Sequence, residues 1–264
     1  MAKRDFSRVK RIIIKIGTTS LTYPNGRINL RRIERIAWVL TDLRNQGKEV
    51  ILVTSAAIAV GTERLGLSER PREIRDKQAA SAVGQAVLMQ FYENFFMTYN
   101  QKVAQILLTK DVTDDAARRS HARNTIDALL KMGVIPIVNE NDTISDEELG
   151  FSDNDSLSAF VAVISEADCL IMLSDIDGLF TVDPRLDKDA ALIPFVERIT
   201  DDIIKIGGDS FGKLGTGGMA AKISAAGIAV ERGIDVIIAS GEDPAALFGI
   251  LNGEIIGTMF MGRR

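Results

Sequence analysis

Two residue types that often carry chemistry are nearly absent from this 264-residue sequence, which has one cysteine, Cys169, and one histidine, His121. A single cysteine excludes a disulfide framework within the chain and fits a reducing cytosol, so we expect a cytoplasmic protein. A single histidine excludes a catalytic histidine pair and a metal site made of several histidines. No apolar run approaches the length of a membrane span, and no signal-peptide region comes before Ile12.

The sequence also lacks a large excess of positive or of negative charge. The 32 basic and 36 acidic residues give a formal net charge of −4, which argues against a general affinity for nucleic acid or for anionic membranes. Apolar residues, in contrast, make up 46% of the sequence, enough to bury a sizeable core. The length corresponds to one large domain or two small ones. Because no low-complexity linker interrupts the chain, we expect a single domain spanning residues 1–264.

Segments with strand and helix character alternate along the chain. Apolar and β-branched runs predict strands at residues 11–16, 50–53, 103–108, 134–138, 169–173, 236–239 and 258–261. Helical spacing predicts helices at residues 30–43, 56–65, 76–99, 116–132, 155–166, 219–232 and from 244 onwards. Residues 176–215 are expected to be irregular. The alternation predicts an α/β fold, a three-layer αβα sandwich around a mainly parallel sheet.

The longest predicted helix, residues 76–99, carries a stripe of large apolar residues. Val83, Val87, Phe91 and Phe95 recur four residues apart and therefore lie on one face. We expect this stripe to face the core rather than a ligand.

Polar residues follow nearly every predicted strand. These strand ends are Gly17-Thr18, Thr54-Ser55, Thr109-Lys110, residues 139–142, Ser174-Asp175 and Ser240-Gly241. In open α/β sheets, ligands bind outside the carboxyl ends of the strands, so these residues predict one binding rim. Lys15 lies inside an isoleucine run one residue before its strand ends, where a buried lysine needs an anion. That anion is either a bound phosphate or a neighbouring aspartate in a structural ion pair.

A glycine-rich segment forms a second candidate for anion binding. Gly215, Gly217 and Gly218 directly precede a predicted helix that begins at Met219. Backbone N–H groups left open by glycine, together with the positive end of the helix dipole, form an anion site. Lys222 lies about one turn into this helix and can reach the same anion. A flexible glycine connection without a ligand is the alternative.

The same segment meets one of the two common nucleotide-binding fingerprints in part and does not meet the other. Met219 follows Gly218 where a P-loop requires lysine, so that pattern is not met. Gly215, Gly217 and Ala220 match the dinucleotide pattern, but a predicted loop rather than a strand leads into it. A nicotinamide-dependent oxidoreductase is therefore an alternative that depends on these three residues alone.

Lys15 and Lys222 together predict a two-lysine clamp on a polyphosphate. Phosphoryl transfer depends on positioning and charge neutralisation more than on a general base. A carboxylate acceptor is already ionised at neutral pH, so the scarcity of histidine is no obstacle. Asp153 and Asp155 are expected to organise the lysines or to contact hydrated Mg2+, with capping of a helix N-terminus as the alternative.

Five segments together point to a known family. They are Lys15-Ile-Gly-Thr18, Val53-Thr-Ser-Ala-Ala-Ile-Ala59, Val138-Asn-Glu-Asn-Asp142, Ser152-Asp-Asn-Asp-Ser-Leu-Ser-Ala159 and Gly215-Thr-Gly-Gly-Met-Ala-Ala-Lys222. In this order they make the sequence resemble the amino-acid kinase family from about residue 10 to about residue 260. Ala56 stands where the family usually has glycine, and Ser174 stands where it usually has threonine. The sequence ends at Arg264 and so resembles the short members without a C-terminal RNA-binding-like module.

The resemblance implies an activity. Within the family, these segments are similar to the members that use ATP and Mg2+ to phosphorylate the side-chain carboxylate of L-glutamate, giving L-glutamyl 5-phosphate in the first step of proline biosynthesis. The lobe from about residue 10 to 170 would then bind the acyl acceptor, and the lobe from about 171 to 264 would bind the nucleotide. The resemblance also implies a homo-oligomer and proline as a feedback inhibitor acting near residues 143–152. Helix 76–99 and the acidic loop 143–152 are both candidate interface surfaces.

Individual roles follow from the family's pattern. By that pattern, Lys15 and Lys222 hold the transferring phosphoryl group, and Asp155 orients them. The residues that would bind glutamate are Ser55, Asn139, Asp142 and Asn154. The residues that would hold ATP are Lys15, Ser174, Asp175, Thr216, Gly217, Gly218, Met219, Ala220, Ala221 and Lys222. No direct metal ligand is assigned.

Other kinds of protein stay open as alternatives. Acetylglutamate, aspartate and uridylate kinases share the expected fold, but aspartate kinases usually have Lys-Phe-Gly-Gly where this chain has Lys15-Ile-Gly-Thr18. The acetylglutamate and uridylate enzymes have extra glycines after the first strand. A non-enzymatic sensor of proline or glutamate would bind its ligand without turnover and would leave Lys15 and Lys222 unexplained.

Overall fold

One eight-stranded sheet carries the fold in the part of the chain that the computed structural model describes, residues 5–145, 151, 153–209 and 218–263. Its strands are β1 (Arg11–Ile16), β2 (Glu49–Val53), β3 (Val103–Leu108), β4 (Ile135–Glu140), β5 (Cys169–Ser174), β6 (Phe195–Val196), β7 (Asp235–Ser240) and β8 (Thr258–Phe260). They lie side by side in the order β3-β4-β2-β1-β5-β7-β8-β6. Neighbouring strands are parallel except for β7 and β8, so the prediction of a mainly parallel sheet is confirmed.

Helices connect the strands. They are α1 (Thr18–Leu21), α2 (Leu30–Asn45), α3 (Ala57–Arg64), α4 (Ile74–Thr98), α5 (Ala116–Lys131), α6 (Asn154–Ile164), α7 (Asp201–Asp209), α8 (Met219–Val230) and α9 (Ala246–Leu251), with a 3-10 turn at Lys110–Thr113. Every helix predicted from the sequence is present, with ends shifted by a residue or two. None of the described helices combines the length and the apolar character that a membrane span requires.

The expectation that residues 176–215 are irregular is wrong in two places. β6 and α7 both lie in this range, and α1 was not expected either. β6 and α1 are too short to show a hydrophobic period. α7 contains Gly207 and Gly208, whose low helix propensity hides its apolar face in the sequence. β4 also runs on past its predicted end at Val138, as far as Glu140.

The isoleucines of β1 divide the core into two layers. Ile12, Ile14 and Ile16 pack on one face of the sheet with side chains of α2, α4 and α9. Ile13 packs on the other face with side chains of α5, α6 and α8. The predicted three-layer sandwich is therefore confirmed. Since successive residues of a strand face opposite sides, Lys15 lies on the face covered by α6 and α8.

Two glycines bring α3 and α4 into backbone contact. A Cβ atom on Gly61 would lie 1.8 Å from the carbonyl oxygen of Ala80, and one on Gly84 would lie 1.8 Å from that of Ala57. No side chain fits at either position. Because α3 begins just beyond Ser55, this packing fixes the end of β2 against α4.

The buried face of α4 is not the stripe expected from the sequence. Val83, Val87, Phe91 and Phe95 are only half-buried, although Val87, Phe91 and Phe95 do pack against the buried core. The buried residues are Ala80, Ser81, Gly84, Gln85, Leu88, Tyr92 and Phe96. The predicted stripe and the buried stripe lie next to each other on the helix. The buried stripe includes the polar residues Ser81 and Gln85, so apolar periodicity does not reveal it.

Candidate active site

Two buried lysines share one buried aspartate at the carboxyl ends of the strands. Lys15 comes from the end of β1, Asp155 from the first turn of α6, and Lys222 from the first turns of α8. Lys15 Nζ lies 2.6 Å from Asp155 Oδ1, and Lys222 Nζ lies 3.0 Å from Asp155 Oδ2. We call these three residues the lysine cluster. The structure thus brings together the three residues for which sequence analysis predicted a phosphate clamp.

Burial and charge act in opposite directions within the lysine cluster. Burial lowers the pKa of Lys15, and the charge of Lys222 adds to this, while Asp155 opposes it. Burial alone would raise the pKa of Asp155, but the charges of the two lysines outweigh it and hold that pKa below its usual value. Two cations against one carboxylate leave a formal charge of +1, since each lysine pairs with that carboxylate. A buried site with excess positive charge suits a phosphate group.

A second group of polar side chains lies beside the lysine cluster. The Nδ2 atom of Asn154 lies 2.8 Å from the Thr54 carbonyl oxygen and 2.9 Å from both Ser55 Oγ and Asn139 Oδ1. We call Ser55, Asn139 and Asn154 the amide cluster. The predicted substrate residues at the ends of β2 and β4 and the start of α6 are therefore in direct contact with each other.

Asp153 explains how α6 begins at this point. Its side chain accepts a hydrogen bond of 2.8 Å from the backbone N–H of Ser156 and so caps the helix. The next two residues, Asn154 and Asp155, point into the amide cluster and the lysine cluster respectively. The N-capping role considered for Asp153 is present, and Asp155 pairs with the lysines instead.

Asp142, the remaining predicted substrate residue, is fixed by α4. Ser81 Oγ donates a hydrogen bond of 2.9 Å to Asp142 Oδ2, and Gln78 Nε2 donates one of 3.0 Å to the carbonyl oxygen of Ser145. Burial raises the pKa of Asp142, which Ser81 and the charge of Arg70 oppose. The half-buried carboxylate therefore lies on a short turn after β4 that α4 holds at two points.

Ala56 adopts a backbone conformation that favours glycine. Its φ of 83° and ψ of 5° place it in the left-handed region, between Ser55 and the start of α3. An alanine there costs on the order of 1 kcal/mol. This strain gives a physical reason for the glycine that the resemblance places at this position.

The expected nucleotide residues are only partly described. Ser174 Oγ donates to Asp175 Oδ1 at 3.0 Å just after β5, and the backbone N–H of Gly241 donates to the Ser174 carbonyl oxygen. The residues around the start of α8 that the structure places are Gly218, Met219, Ala220, Ala221 and Lys222. Thr216 and Gly217 lie outside the described residues, as do Gly215 and most of the loop 143–152. The last described element before α8 is the helix α7, whereas the dinucleotide fingerprint requires a strand there.

Several polar residues around the site were not predicted from the sequence. Gln85 Oε1 accepts a hydrogen bond of 2.9 Å from Asn139 Nδ2, and Tyr92 OH lies 2.7 Å from Thr54 Oγ1. Glu140 is buried at the end of β4 and accepts a hydrogen bond of 2.8 Å from the backbone N–H of Phe151. The available signal for α4 was the helical spacing of Ser81, Gln85 and Tyr92, four and seven residues apart, which places them on one face of the helix. Among the described residues, no three His, Cys, Asp or Glu side chains form a metal-binding group.

The sequence is similar to that of proteins of known activity. It is 50% identical over 259 residues to the glutamate 5-kinase of Clostridium perfringens, covering 97% of this chain and 96% of that protein. It is 48% identical over 263 residues to the glutamate 5-kinase of Enterococcus faecalis, covering 98% and 97% of the two chains. These matches extend over nearly the whole of each protein.

Solved structures show the same fold at much lower identity. The UMP kinase of Bacillus anthracis superposes with a TM-score of 0.67 at 18% identity, covering 97% of both chains. An isopentenyl phosphate kinase superposes with a TM-score of 0.66 at 17% identity, covering 95% of this chain and all of the other. The sequence profile of the amino acid kinase family matches residues 10–240. With a family match over most of its length, this chain belongs to the amino acid kinase family.

Proposed function

We propose that this protein transfers the γ-phosphoryl group of ATP to the side-chain carboxylate of L-glutamate, giving L-glutamyl 5-phosphate and ADP in the first step of proline biosynthesis. Relatives named glutamate 5-kinase that match at 48–50% identity over almost the full chain support this activity. The observation that carries the proposal is the contact of the lysine cluster with the amide cluster through the consecutive residues Asn154 and Asp155. A phosphate site and a site for a polar acceptor are thereby held side by side.

The transfer itself needs charge neutralisation more than acid–base chemistry. A carboxylate oxygen of glutamate forms a bond to the γ-phosphorus, while the bond from that phosphorus to the bridging oxygen breaks and ADP leaves with the electron pair. No proton is removed, because the acceptor carboxylate is ionised at neutral pH. Lys15 and Lys222 neutralise the charge on the transferring group, and Asp155 holds both ammonium groups in place.

The acceptor site is proposed to match the three charges of L-glutamate. The Asp142 carboxylate, fixed by Ser81, suits the α-ammonium group. Ser55 suits a carboxylate, because Asn154 Nδ2 donates to Ser55 Oγ and leaves the hydroxyl hydrogen to donate to the substrate. Asn139 and Asn154, whose amides bond to each other, hold Ser55 in this orientation. The side-chain carboxylate would then lie at the border with the lysine cluster.

ATP is proposed to bind across the ends of β5 and β7 and the start of α8. Ser174 ends β5 and Asp175 follows it, and Gly218 is the N-cap residue of α8, with a backbone that no side chain shields. The segment continues through Met219, Ala220 and Ala221 to Lys222, and Thr216 and Gly217 are assigned to it from the sequence alone.

Mg2+ is proposed to accompany ATP. This ion prefers oxygen ligands and retains several waters, so phosphate oxygens and water would hold most of its coordination positions. Each oxygen of Asp155 already lies against a lysine, which makes that carboxylate a poor direct ligand. The ion supplies additional charge neutralisation on the phosphates when it is bound.

Regulation, assembly and location form a further part of the proposal. Proline is proposed to inhibit from the neighbourhood of the loop 143–152, whose first residues α4 anchors through Gln78 and Ser145. A homo-oligomer is proposed, with the half-buried residues Val87, Phe91 and Phe95 of α4 as apolar surface for a second copy. The cytoplasm fits the single cysteine, Cys169, which is reduced and buried.

Trapping of the acyl phosphate tests the proposed reaction. Purified protein, ATP, Mg2+ and hydroxylamine are mixed separately with L-glutamate, N-acetylglutamate and L-aspartate, and hydroxamate is measured by its colour with iron. We expect hydroxamate from glutamate alone. Colour only with another acid would move the assignment to an acetylglutamate or aspartate kinase. No colour with any acid, while ATP still binds, would favour a nucleotide acceptor such as UMP or a non-enzymatic sensor.

A further inference from the structure

A chain of side-chain amides leads from the amide cluster to the edge of the sheet. Asn154 Nδ2 donates to Asn139 Oδ1 at 2.9 Å, and Asn139 Nδ2 donates to Gln85 Oε1 at 2.9 Å. Gln85 Nε2 in turn donates to Gln105 Oε1 at 3.3 Å. Asn139 and Gln85 are buried, whereas Gln105 is exposed on β3. The chain therefore runs from α6 through β4 and α4 to an exposed edge strand.

Each link of this chain has a direction, because an amide has an acceptor oxygen on one side and a donor nitrogen on the other. While Gln85 offers its oxygen to Asn139, the amide nitrogen of Asn139 points to α4 and its oxygen points to Asn154. If the Asn139 amide turned over, its nitrogen would face the nitrogen of Asn154, and neither donor would have an acceptor there. Gln85 thus determines which atom Asn139 presents to the amide cluster.

The backbone around Gln85 is held tightly. Gly84, the preceding residue, packs so closely on α3 that a Cβ atom there would lie 1.8 Å from the carbonyl oxygen of Ala57. One turn earlier on the same helix, Ser81 donates to Asp142. α4 therefore contacts the predicted substrate residues at two fixed points, through a hydroxyl and through an amide. A buried amide is costly unless it is hydrogen-bonded, so an apolar residue at position 85 would serve packing alone equally well.

We propose that Gln85 is a positioning residue for the acceptor substrate, acting through Asn139 without touching the substrate itself. The inference rests on the proposed function, since it assigns the amide cluster to glutamate. Without the Gln85 oxygen, the buried Asn139 Nδ2 loses its acceptor, and Asn139 is held only by its contact with Asn154. Asn139 Oδ1 is then a less firmly held acceptor for Asn154, whose Nδ2 atom also donates to Ser55 Oγ. Binding of glutamate should weaken, while the nucleotide side, which Gln85 does not contact, should be unaffected.

Steady-state kinetics of Gln85→Leu test this role. Leucine fills the same space without hydrogen bonds, and we expect KM for glutamate to rise at least about fivefold, the loss typical of an unmade buried hydrogen bond. KM for ATP should stay within about twofold of the wild-type value. If Gln85→Leu does not fold, Gln85→Met replaces it, with the same expected split. Gln85→Glu keeps an oxygen acceptor for Asn139 Nδ2, so its rise in KM for glutamate should be smaller.

Gln105→Ala provides the matched control. It removes the outer end of the same chain, where water can replace the lost partner of Gln85, and KM for glutamate should stay within about twofold of the wild-type value. Three results would overturn the proposal: no change in KM for glutamate in Gln85→Leu, equal changes for glutamate and ATP, or equal effects of the leucine and glutamate variants. Hydroxamate formation by the wild-type protein tests the proposed function separately, and its failure would remove both conclusions.

Discussion

Asn154 and Asp155 are consecutive residues of α6, yet their side chains enter different clusters. Asn154 hydrogen-bonds to Ser55 Oγ, and Asp155 pairs with Lys15 and Lys222. One peptide bond therefore sets the distance between the proposed acceptor site and the proposed phosphate site. Because Asp153 caps the first turn of α6, the two proposed sites are held at a fixed separation, as a transfer between two bound reactants requires.

Removing Lys222 should abolish most of the activity without unfolding the protein. Lys222→Ala deletes one of the two cations proposed to neutralise the transferring phosphoryl group, so we expect kcat to fall at least about 100-fold, equivalent to roughly 3 kcal/mol of transition-state stabilisation. Asp155 keeps Lys15 as its partner, so thermal unfolding should still be cooperative. Lys205→Ala, at an exposed position on α7, is the control and should keep wild-type kcat. Near wild-type turnover in Lys222→Ala would contradict the two-lysine clamp.

Asp142 should govern the requirement for glutamate and not that for ATP. Asp142→Ala removes the carboxylate proposed to pair with the α-ammonium group, and we expect KM for glutamate to rise at least about tenfold. KM for ATP should change by less than about twofold, since Asp142 lies at the end of β4 and not on the nucleotide side. Initial rates over a grid of both substrates measure the two constants together. Asp114→Ala, at an exposed position, is the control. Equal changes in KM for glutamate and KM for ATP would show that Asp142 does not bind glutamate.

Much of the fold was predictable because its signals are local. The isoleucines of β1 and the alternation of apolar runs with helical segments predicted the parallel sheet and its two covered faces. α7 was missed because Gly207 and Gly208 lower its helix propensity, and β6 has only two residues. The buried face of α4 was placed one stripe away, because Ser81 and Gln85 belong to that face for their polar contacts rather than for hydrophobicity.

The placement of the candidate site residues was predictable to the extent that it follows the ends of strands. Lys15, Ser55 and Asn139 all lie at or near such ends, and the rule for open α/β sheets brings them to one rim. The pairing of both lysines with Asp155 depends on how α6 and α8 pack, which no spacing in the sequence specifies. The contact between Gln85 and Asn139 likewise joins residues 54 positions apart, so only the folded chain reveals it.

The close contact of α3 with α4 should be intolerant of a single methyl group. In Gly84→Ala the new Cβ atom would lie 1.8 Å from the Ala57 carbonyl oxygen, so the helices must move apart, and we expect a loss of about 2–3 kcal/mol in the free energy of unfolding. Gly208→Ala is the matched control, because α7 has open space there and alanine is the better helix former by about 1 kcal/mol. Urea unfolding measures both. Equal stability of the two variants would show that the helices separate without cost.

Glu140 should make the protein less stable as the pH rises through the mildly acidic range. Burial raises the pKa of Glu140 above its usual 4.5, and the charges of Asp142 and Asp153 add to this. Between the unfolded and the folded pKa the folded protein binds more protons, so ionising Glu140 destabilises the folded state as pH rises. Glu140→Gln keeps an acceptor for the Phe151 N–H and cannot ionise. The free energy of unfolding of Glu140→Gln, relative to that of the wild type, should therefore increase with pH and then level off. The total increase should be about 1.4 kcal/mol for each unit by which the pKa of Glu140 is raised. Urea unfolding of both proteins between about pH 4 and pH 8 measures this difference. Glu93→Gln, on the exposed side of α4, is the control. If the stability difference between Glu140→Gln and wild type became smaller as pH rises, the raised pKa of Glu140 would be contradicted.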